Sequence, residues 1–232
     1  MPNDYFRFKR FTVYHDRCAM KVGTDGVLLG AWAEGGMRIL DIGTGTGLIA
    51  LMMAQRFQQA MVTGIDIDTA ACRQAWENVK ASPFADRVEI QETSVQSYMP
   101  SEAFDAIVSN PPFFVNSLRN PDKQRAVARH TDTLSYRELF AHAYRLLTAV
   151  GIFSIIVPAE MWEDVLSESS IVGFSLSKVC AVKTVESRPP KRYLLTFSKE
   201  IPEKINSERL LLMGGAGYKS NEYNLLTKDF YL

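Results

Sequence analysis

The most chemically pointed stretch of the chain is SNPPFF, residues 109–114. Asn110 closes an apolar run that reads as a buried strand, and Pro111, Pro112 and Phe113 follow at once. Proline fixes φ and has no N–H to donate. Such a turn is rich in acceptors, the Asn110 side-chain oxygen and the Pro111 carbonyl, and Phe113 adds a flat face. This set fits a planar amine attached to an aromatic ring. The amine is a poor nucleophile because its lone pair is delocalised into the ring. Two acceptors that take its hydrogens in a bent geometry draw the nitrogen toward tetrahedral and free the lone pair, an interaction made mainly in the transition state. Stacking on Phe113 holds the ring. Asn110, Pro111, Pro112 and Phe113 are the expected catalytic residues. A Pro-Pro pair after a strand also simply ends pairing, so the motif needs support from elsewhere.

That support comes from ILDIGTGTG, residues 39–47, which puts Asp41 at a strand end and Gly43, Gly45 and Gly47 in the turn before a helix. Glycines there allow positive φ and close approach of a ligand to the backbone. Unpaired N–H groups at the helix start suit a polar or anionic ligand. The dinucleotide fingerprint G-x-G-x-x-G would need glycine at position 48, which is Leu48. The spacing better suits a nucleoside with a short charged tail than a pyrophosphate. GIDID then supplies Asp66 and Asp68, with Asp66 nineteen residues past Gly47, where a carboxylate accepts both ribose hydroxyls. Ile67, between the two acids, belongs to the same candidate set. The glycines alone also fit an empty tight turn; Asp66 at this spacing argues against that.

These residues need a scaffold that brings strand ends side by side. Strands are predicted over 37–43, 61–67, 87–93, 104–110, 151–158, 175–185 and 192–198, and helices over 48–57, 70–80, 134–148 and 159–169. Alternating strands and helices predict a parallel, doubly wound α/β sheet. All-apolar runs such as IFSIIV predict strands buried on both faces. The last two strands, joined by the short turn ESRPPK, are predicted to be antiparallel and to suit a sheet edge. The tail 218–232 is expected to dock back on the body, and Trp32, Trp76 and Trp162 to be core.

The bulk composition allows this. The 232 residues, 47% hydrophobic and 22% charged, suffice for one domain with a substantial core. Cys18, Cys72 and Cys180 are odd in number and far apart, without CxxC or His/Cys spacing. They read as reduced thiols in a cytoplasmic protein with no metal site. The N-terminus has no apolar signal core, and the longest apolar run falls well short of the roughly 18–20 residues that span a bilayer. Neither secretion nor a membrane is expected.

In this order, ILDIGTGTG, GIDID and SNPPF resemble the S-adenosylmethionine-dependent methyltransferases of the Rossmann-like class. The resemblance implies a Rossmann-like, doubly wound, seven-stranded sheet, mostly parallel with an antiparallel C-terminal edge strand. It implies that Asp41, Gly43, Gly45 and Gly47 lie along the methionine part of the cofactor, that Asp66 holds the ribose with Ile67 beside it, and that Asn110 borders the same pocket. Many relatives place an acid after the third strand, near the adenine amine; here residues 91–98, QETSVQSY, offer Glu92 or Ser94.

Residues 6–33, 125–139 and 223–232 are similar to the tRNA methyltransferases that act on N6 of the adenine just 3′ of the anticodon in valine tRNA. MKVGTDGVLLGAW, residues 20–32, is the most specific piece. This likeness, spanning nearly the whole chain, implies a single methyltransferase domain over 1–232. Residues 1–36 would cover cofactor and substrate, with Lys21, Thr24 and Asp25 lining the cofactor pocket, and 37–232 would form the core. The implied activity is methylation of adenine 37 in the anticodon loop; the sequence leaves the oligomeric state open, with a monomer expected.

Net charge is zero, so no global field steers the chain onto nucleic acid. Charge is uneven locally, however. Residues 118–145 hold six Arg/Lys against three Asp/Glu, and residues 178–199 hold six against one. Solvated faces explain such runs equally well. As an RNA-facing side they nominate Arg119, Lys123, Arg125, Arg129, Lys191 and Arg192 for phosphates, with His130 as a further phosphate or base contact. An anticodon-loop base is also more easily unstacked than a duplex base. Competing readings are methylation of rRNA guanine N2 or of a protein glutamine amide, an NAD-dependent oxidoreductase, and a non-catalytic RNA-binding module.

Overall fold

The computed structural model describes residues 3–18, 21–111, 134–215 and 217–232. Pro112, Phe113, Arg119, Lys123, Arg125, Arg129 and His130 lie outside the described residues. The chain opens with an antiparallel hairpin, β1 (Tyr5–Arg7) and β2 (Thr12–Tyr14), followed by helix α1 (Thr24–Trp32). Alternating units follow: β3 (Arg38–Ile42), α2 (Leu48–Arg56), β4 (Met61–Asp66), α3 (Thr69–Lys80), β5 (Val88–Glu92) and β6 (Phe104–Ser109). Next come α4 (Tyr136–Leu146), β7 (Leu147–Pro158), α5 (Trp162–Val172), β8 (Ser175–Lys183), β9 (Arg192–Ser198) and β10 (Asn206–Leu211). A small hairpin, β11 (Met213–Gly215) and β12 (Tyr218–Lys219), leads to α6 (Asn221–Thr227).

Eight strands form one sheet in the order β10-β8-β9-β7-β6-β3-β4-β5. β9 runs antiparallel to β7 and β8, while the other neighbours are parallel. The expected Rossmann-like, mostly parallel sheet is present, with its antiparallel pairing on the C-terminal side. β10 adds a strand to the seven expected and pairs along the outside of β8. Its sequence, NSERLL, is mostly exposed and lacks the apolar pattern that marks a strand.

Burial on both faces explains the apolar strands. Ile39, Val62, Val108 and Ile156 point into a core shared with α1, α2, the first hairpin and the tail. Leu40, Ile42, Ile107, Phe153 and Ile155 point into a second core beneath α4 and α5. The helices start and stop on local signals. Asp68 caps α3 by accepting from the Ala70 and Ala71 amides, and Ser135 with Glu138 closes a capping box on α4. Gly173, in the left-handed region at φ 102°, ends α5.

The tail docks as expected: the Lys9 amide donates to the Phe230 carbonyl at 2.8 Å, and Gln55 Nε2 to the Asp229 carbonyl at 2.8 Å. Trp32 is buried and Trp162 partly so, but Trp76 is not core. The buried residues of α3 are Ala71, Cys72, Gln74, Ala75, Asn78 and Val79, and Trp76 falls outside them under the Lys80 ammonium. Among the described residues no helix is long and apolar enough to cross a membrane.

Candidate active site

Parallel strands bring β3, β4, β5 and β6 to one edge at their carboxyl ends, where open α/β sheets hold ligands. After β3 the chain needs a tight turn, and Gly43, Gly45 and Gly47 make it with φ of 71°, 55° and 79°. The turn is strapped to β4, since the Gly43 and Thr44 amides both donate to the Ile65 carbonyl, at 2.9 and 3.0 Å. Among the described residues, a side chain at 43 would meet nothing within 4 Å, and one at 45 only Cys18 Sγ at 4.0 Å. Bare backbone at Gly43 and Gly45, among the described residues, borders a cradle over the turn, while Gly47 faces α3, where a side chain would come within 3.3 Å of Ala75 Cβ.

Asp41, on the last turn-facing part of β3, is fully buried. Its Oδ2 accepts from Thr44 Oγ1 at 2.7 Å and from the Ala50 amide at 3.2 Å. Its Oδ1 is buried and has no partner among the described residues. Burial pushes the carboxyl from 3.8 up to about 7; the Thr44 and Ala50 bonds pull it down, and the Asp66 charge adds a smaller upward push. A buried acceptor without a donor is costly and calls for an outside partner.

Asp66 ends β4. Its Oδ2 accepts from the Gly45 amide at 2.8 Å and its Oδ1 from the Asp68 amide at 3.0 Å. Each carboxylate oxygen keeps capacity for a further donor. Ile67 is 58% exposed at the same edge, an apolar surface left open beside a carboxylate. Register sets Glu92 beside Asp66. Glu92 Oε1 accepts from Thr69 Oγ1 at 2.7 Å, and Ser94 Oγ lies 2.8 Å from Ser97 Oγ. Cradle, orphaned carboxylate oxygen, acid and apolar shelf fit the methionine, ribose and adenine of S-adenosylmethionine.

The segment before β3 lies along this edge. Arg17 is pinned to α3 by its ion pair with Glu77 at 2.9 Å and by its amide on Gln74 Oε1 at 3.3 Å. Cys18 thereby reaches Gly45. Gly26 packs against the first residue of α2, where a side chain would come within 3.1 Å of Leu48 Cδ2. Lys21 and Thr24 are exposed beside it. Asp25 Oδ2 takes the Arg192 Nε–H at 2.9 Å. Two residues assigned to different tasks from sequence, Asp25 to the cofactor and Arg192 to RNA, are thus joined. Arg192 pairs with Pro158 at the end of β7, so it and the exposed Lys191 stand on the site-bearing edge.

β6 lies against β3 with Ser109 beside Ile42, and Ser109 Oγ donates to the Ile42 carbonyl at 2.8 Å. One step on, Asn110 emerges next to the glycine turn. Its Oδ1 is buried with no partner among the described residues, and Pro111 behind it is buried. Two orphaned acceptors, on Asp41 and Asn110, thus stand at adjacent strand ends. Thr44, which donates to Asp41, Gly64, which packs against Thr44, and Asn78, which donates to the Thr46 carbonyl of the turn, escaped the sequence reading. A side chain at Gly64 would sit 2.7 Å from Thr44 Oγ1. A glycine inside a strand signals such close approach and could have been read.

Comparison with known proteins bears on what this edge does. Residues 22–168 match the methyltransferase small domain family. Two curated relatives carry the name tRNA1(Val) (adenine(37)-N6)-methyltransferase. The Parabacteroides distasonis protein is 49% identical over 236 residues, covering 100% of this chain and 99% of that one. The Phocaeicola vulgatus protein is 50% identical over 234 residues, with the same coverage. Among solved structures, a protein of Agrobacterium tumefaciens described as a predicted O-methyltransferase superposes with TM-score 0.70 at 17% identity, over 89% of this chain and 96% of that one. A glycopeptide N-methyltransferase complexed with S-adenosylmethionine gives TM-score 0.57 at 11% identity, over 78% of this chain and 100% of that one. At such identities these two show the fold.

Proposed function

The chain belongs to the methyltransferase small domain family, and on that premise we propose that it methylates N6 of adenine 37 in the anticodon loop of tRNA1(Val). S-adenosylmethionine supplies a methyl group already activated on a sulfonium. The protein's own task is then to bind, to align and to make the adenine nitrogen nucleophilic.

Asp41 Oδ1 is assigned to the cofactor's α-amino group and Asp66 to its ribose hydroxyls, with Gly43, Gly45 and Gly47 leaving room between. Ile67 supports the adenine face. Glu92 and Ser94 stand nearest to the adenine amine, and both already hold a neighbouring hydroxyl. Residues 1–36 serve as the cover of a single domain, in which Lys21 and Thr24 flank the pocket. Asp25 acts there through its ion pair with Arg192.

Asn110 Oδ1 and the Pro111 carbonyl accept the two hydrogens of the target amine. Held this way, the nitrogen turns its lone pair toward the methyl group. The N–C bond forms as the S–C bond breaks, and the methylated nitrogen sheds one proton to water. Pro112 stiffens the turn and Phe113 stacks on the adenine. Lys191 and Arg192 contact RNA phosphates on the same edge, as do Arg119, Lys123, Arg125 and Arg129. The enzyme works as a monomer in the cytoplasm, where its substrate is.

The observation that carries the reading is the Asn110 Oδ1, buried without a partner among the described residues, at the strand end beside the glycine turn. Nucleoside mass spectrometry of tRNA from cells with and without the protein tests it. N6-methyladenosine should disappear from position 37 of tRNA1(Val) alone. An unchanged tRNA, with methyl label lost instead from rRNA guanine or protein glutamine, would refute the substrate assignment.

A further inference from the structure

The first hairpin has two unlike faces. On one side, the buried Phe8 and the partly open Phe6, 36% exposed, pack together at 4.7 Å and reach Tyr231 at 5.9 and 5.7 Å. Outward, Tyr5 pairs across the strands with Tyr14, ring centroids 5.7 Å apart, and the two stay 48% and 47% exposed. Arg7 follows on the same outward face, opposite Thr12. Two open aromatic rings beside a guanidinium can stack bases and hold a phosphate.

The hairpin is not a loose arm. Asn78 of α3 accepts from the Tyr14 amide and donates to the Tyr14 carbonyl, both at 2.9 Å. The same Nδ2 donates to the Thr46 carbonyl of the glycine turn at 2.9 Å. One side chain thus fixes Tyr14 to the turn that borders the cofactor cradle.

We propose that Tyr5, Arg7 and Tyr14 form a docking surface for unpaired nucleotides of the substrate RNA, separate from the pocket for the methylated base. This rests on the RNA substrate proposed above and gives the outer face of the hairpin, within residues 1–36, a task which that reading did not assign to it. Charge selects the partner. Residues 3–18 carry Arg7, Lys9, Arg10 and Arg17 against Asp4 and Asp16, and Arg17 already holds both Asp16 and Glu77. With Glu77 counted, four cations stand against three acids, and Arg7 stands on the same face as the tyrosines, an arrangement that favours a polyanion with flat bases over a protein partner.

The test uses the full chain with both residues changed, Tyr5→Ser and Tyr14→Ser. Fluorescence anisotropy measures its affinity for the tRNA1(Val) anticodon stem-loop, calorimetry its affinity for S-adenosylhomocysteine, and steady-state kinetics separate KM from kcat. RNA affinity should fall about 10–100-fold and KM should rise in step. The cofactor affinity and kcat at saturating RNA should stay within about twofold of wild type. The Tyr5→Phe, Tyr14→Phe chain keeps both rings and should restore binding, and Arg7→Ala should lower the salt slope of binding by about one.

Unchanged RNA affinity in the Ser variant of an active enzyme overturns the surface and leaves the proposed function standing. A wild-type chain that neither binds nor methylates this RNA overturns both. A wild-type dimer that the Ser variant loses, with RNA affinity unchanged, overturns it in favour of self-association.

Discussion

Gly45 donates its backbone N–H to the Asp66 carboxylate across 2.8 Å, tying the turn after β3 to the end of β4. The same carboxylate is assigned to the ribose. Its removal therefore acts twice, on the ligand and on the shape of the cradle. Asp66→Ala should weaken cofactor binding about 100-fold, the sum of two or so lost charge-assisted bonds. Calorimetry with S-adenosylhomocysteine reads this directly, and a loss below about threefold would remove Asp66 from the pocket.

Asp41 gives a pH signature. Its carboxyl is raised by burial from 3.8 to about 7, so between those values the folded protein holds a proton that the unfolded chain has released. Stability of the cofactor-free protein from this group should fall as pH rises from about 4 to about 7 and be flat above. Cofactor affinity should run the other way, since an ammonium beside Oδ1 favours the carboxylate. It should increase up to about pH 7 and then level off. Asp41→Asn should abolish both trends and stabilise the cofactor-free protein. Thermal unfolding and calorimetry across pH 5–8 check the pair; an affinity independent of pH would contradict the role given to Oδ1.

Gly64 tests the support beneath Asp41. A methyl there would sit 2.7 Å from Thr44 Oγ1 and 2.9 Å from Ile90 Cδ1. Thr44 must move and release Asp41. Gly64→Ala should cost about 1–3 kcal/mol of stability and weaken cofactor binding about tenfold or more. Denaturant unfolding and ligand titration measure these; normal cofactor binding in a destabilised variant would show that Thr44 is not needed to orient Asp41.

The Asp25–Arg192 pair is partly exposed, with side chains 23% and 31% accessible, so its direct worth is small, below about 1 kcal/mol. Its effect should show in kinetics. Asp25→Ala and Arg192→Ala should each raise the RNA KM, and the double variant should be no worse than the poorer single one. A steady-state double-mutant cycle measures this; additive effects would mean that the residues act independently.

Much of this was legible in the sequence because local rules and long-range need agree. Gly43, Gly45 and Gly47 are required by positive φ, and IFSIIV is apolar but for Ser154 because both faces of β7 are covered. What escaped depended on partners distant in the chain. NSERLL is a strand only because β8 offers its edge. Trp76 reads as core by type, yet its helix turns it outward. The α1 helix and the first hairpin hold their places through residues such as Leu48, Asn78 and Tyr231, which no local pattern announces. At the site, Asp25 carries the right charge for a cofactor contact, and only the fold puts Arg192 against it.

The central claim is that Asn110 Oδ1 activates the adenine amine. Single-turnover methyl transfer to tRNA1(Val) by Asn110→Ala, with cofactor affinity measured on the same preparation, tests it most directly. The chemical step should slow about 100-fold or more while cofactor affinity changes less than about threefold. A variant that transfers the methyl group at the wild-type rate would contradict it.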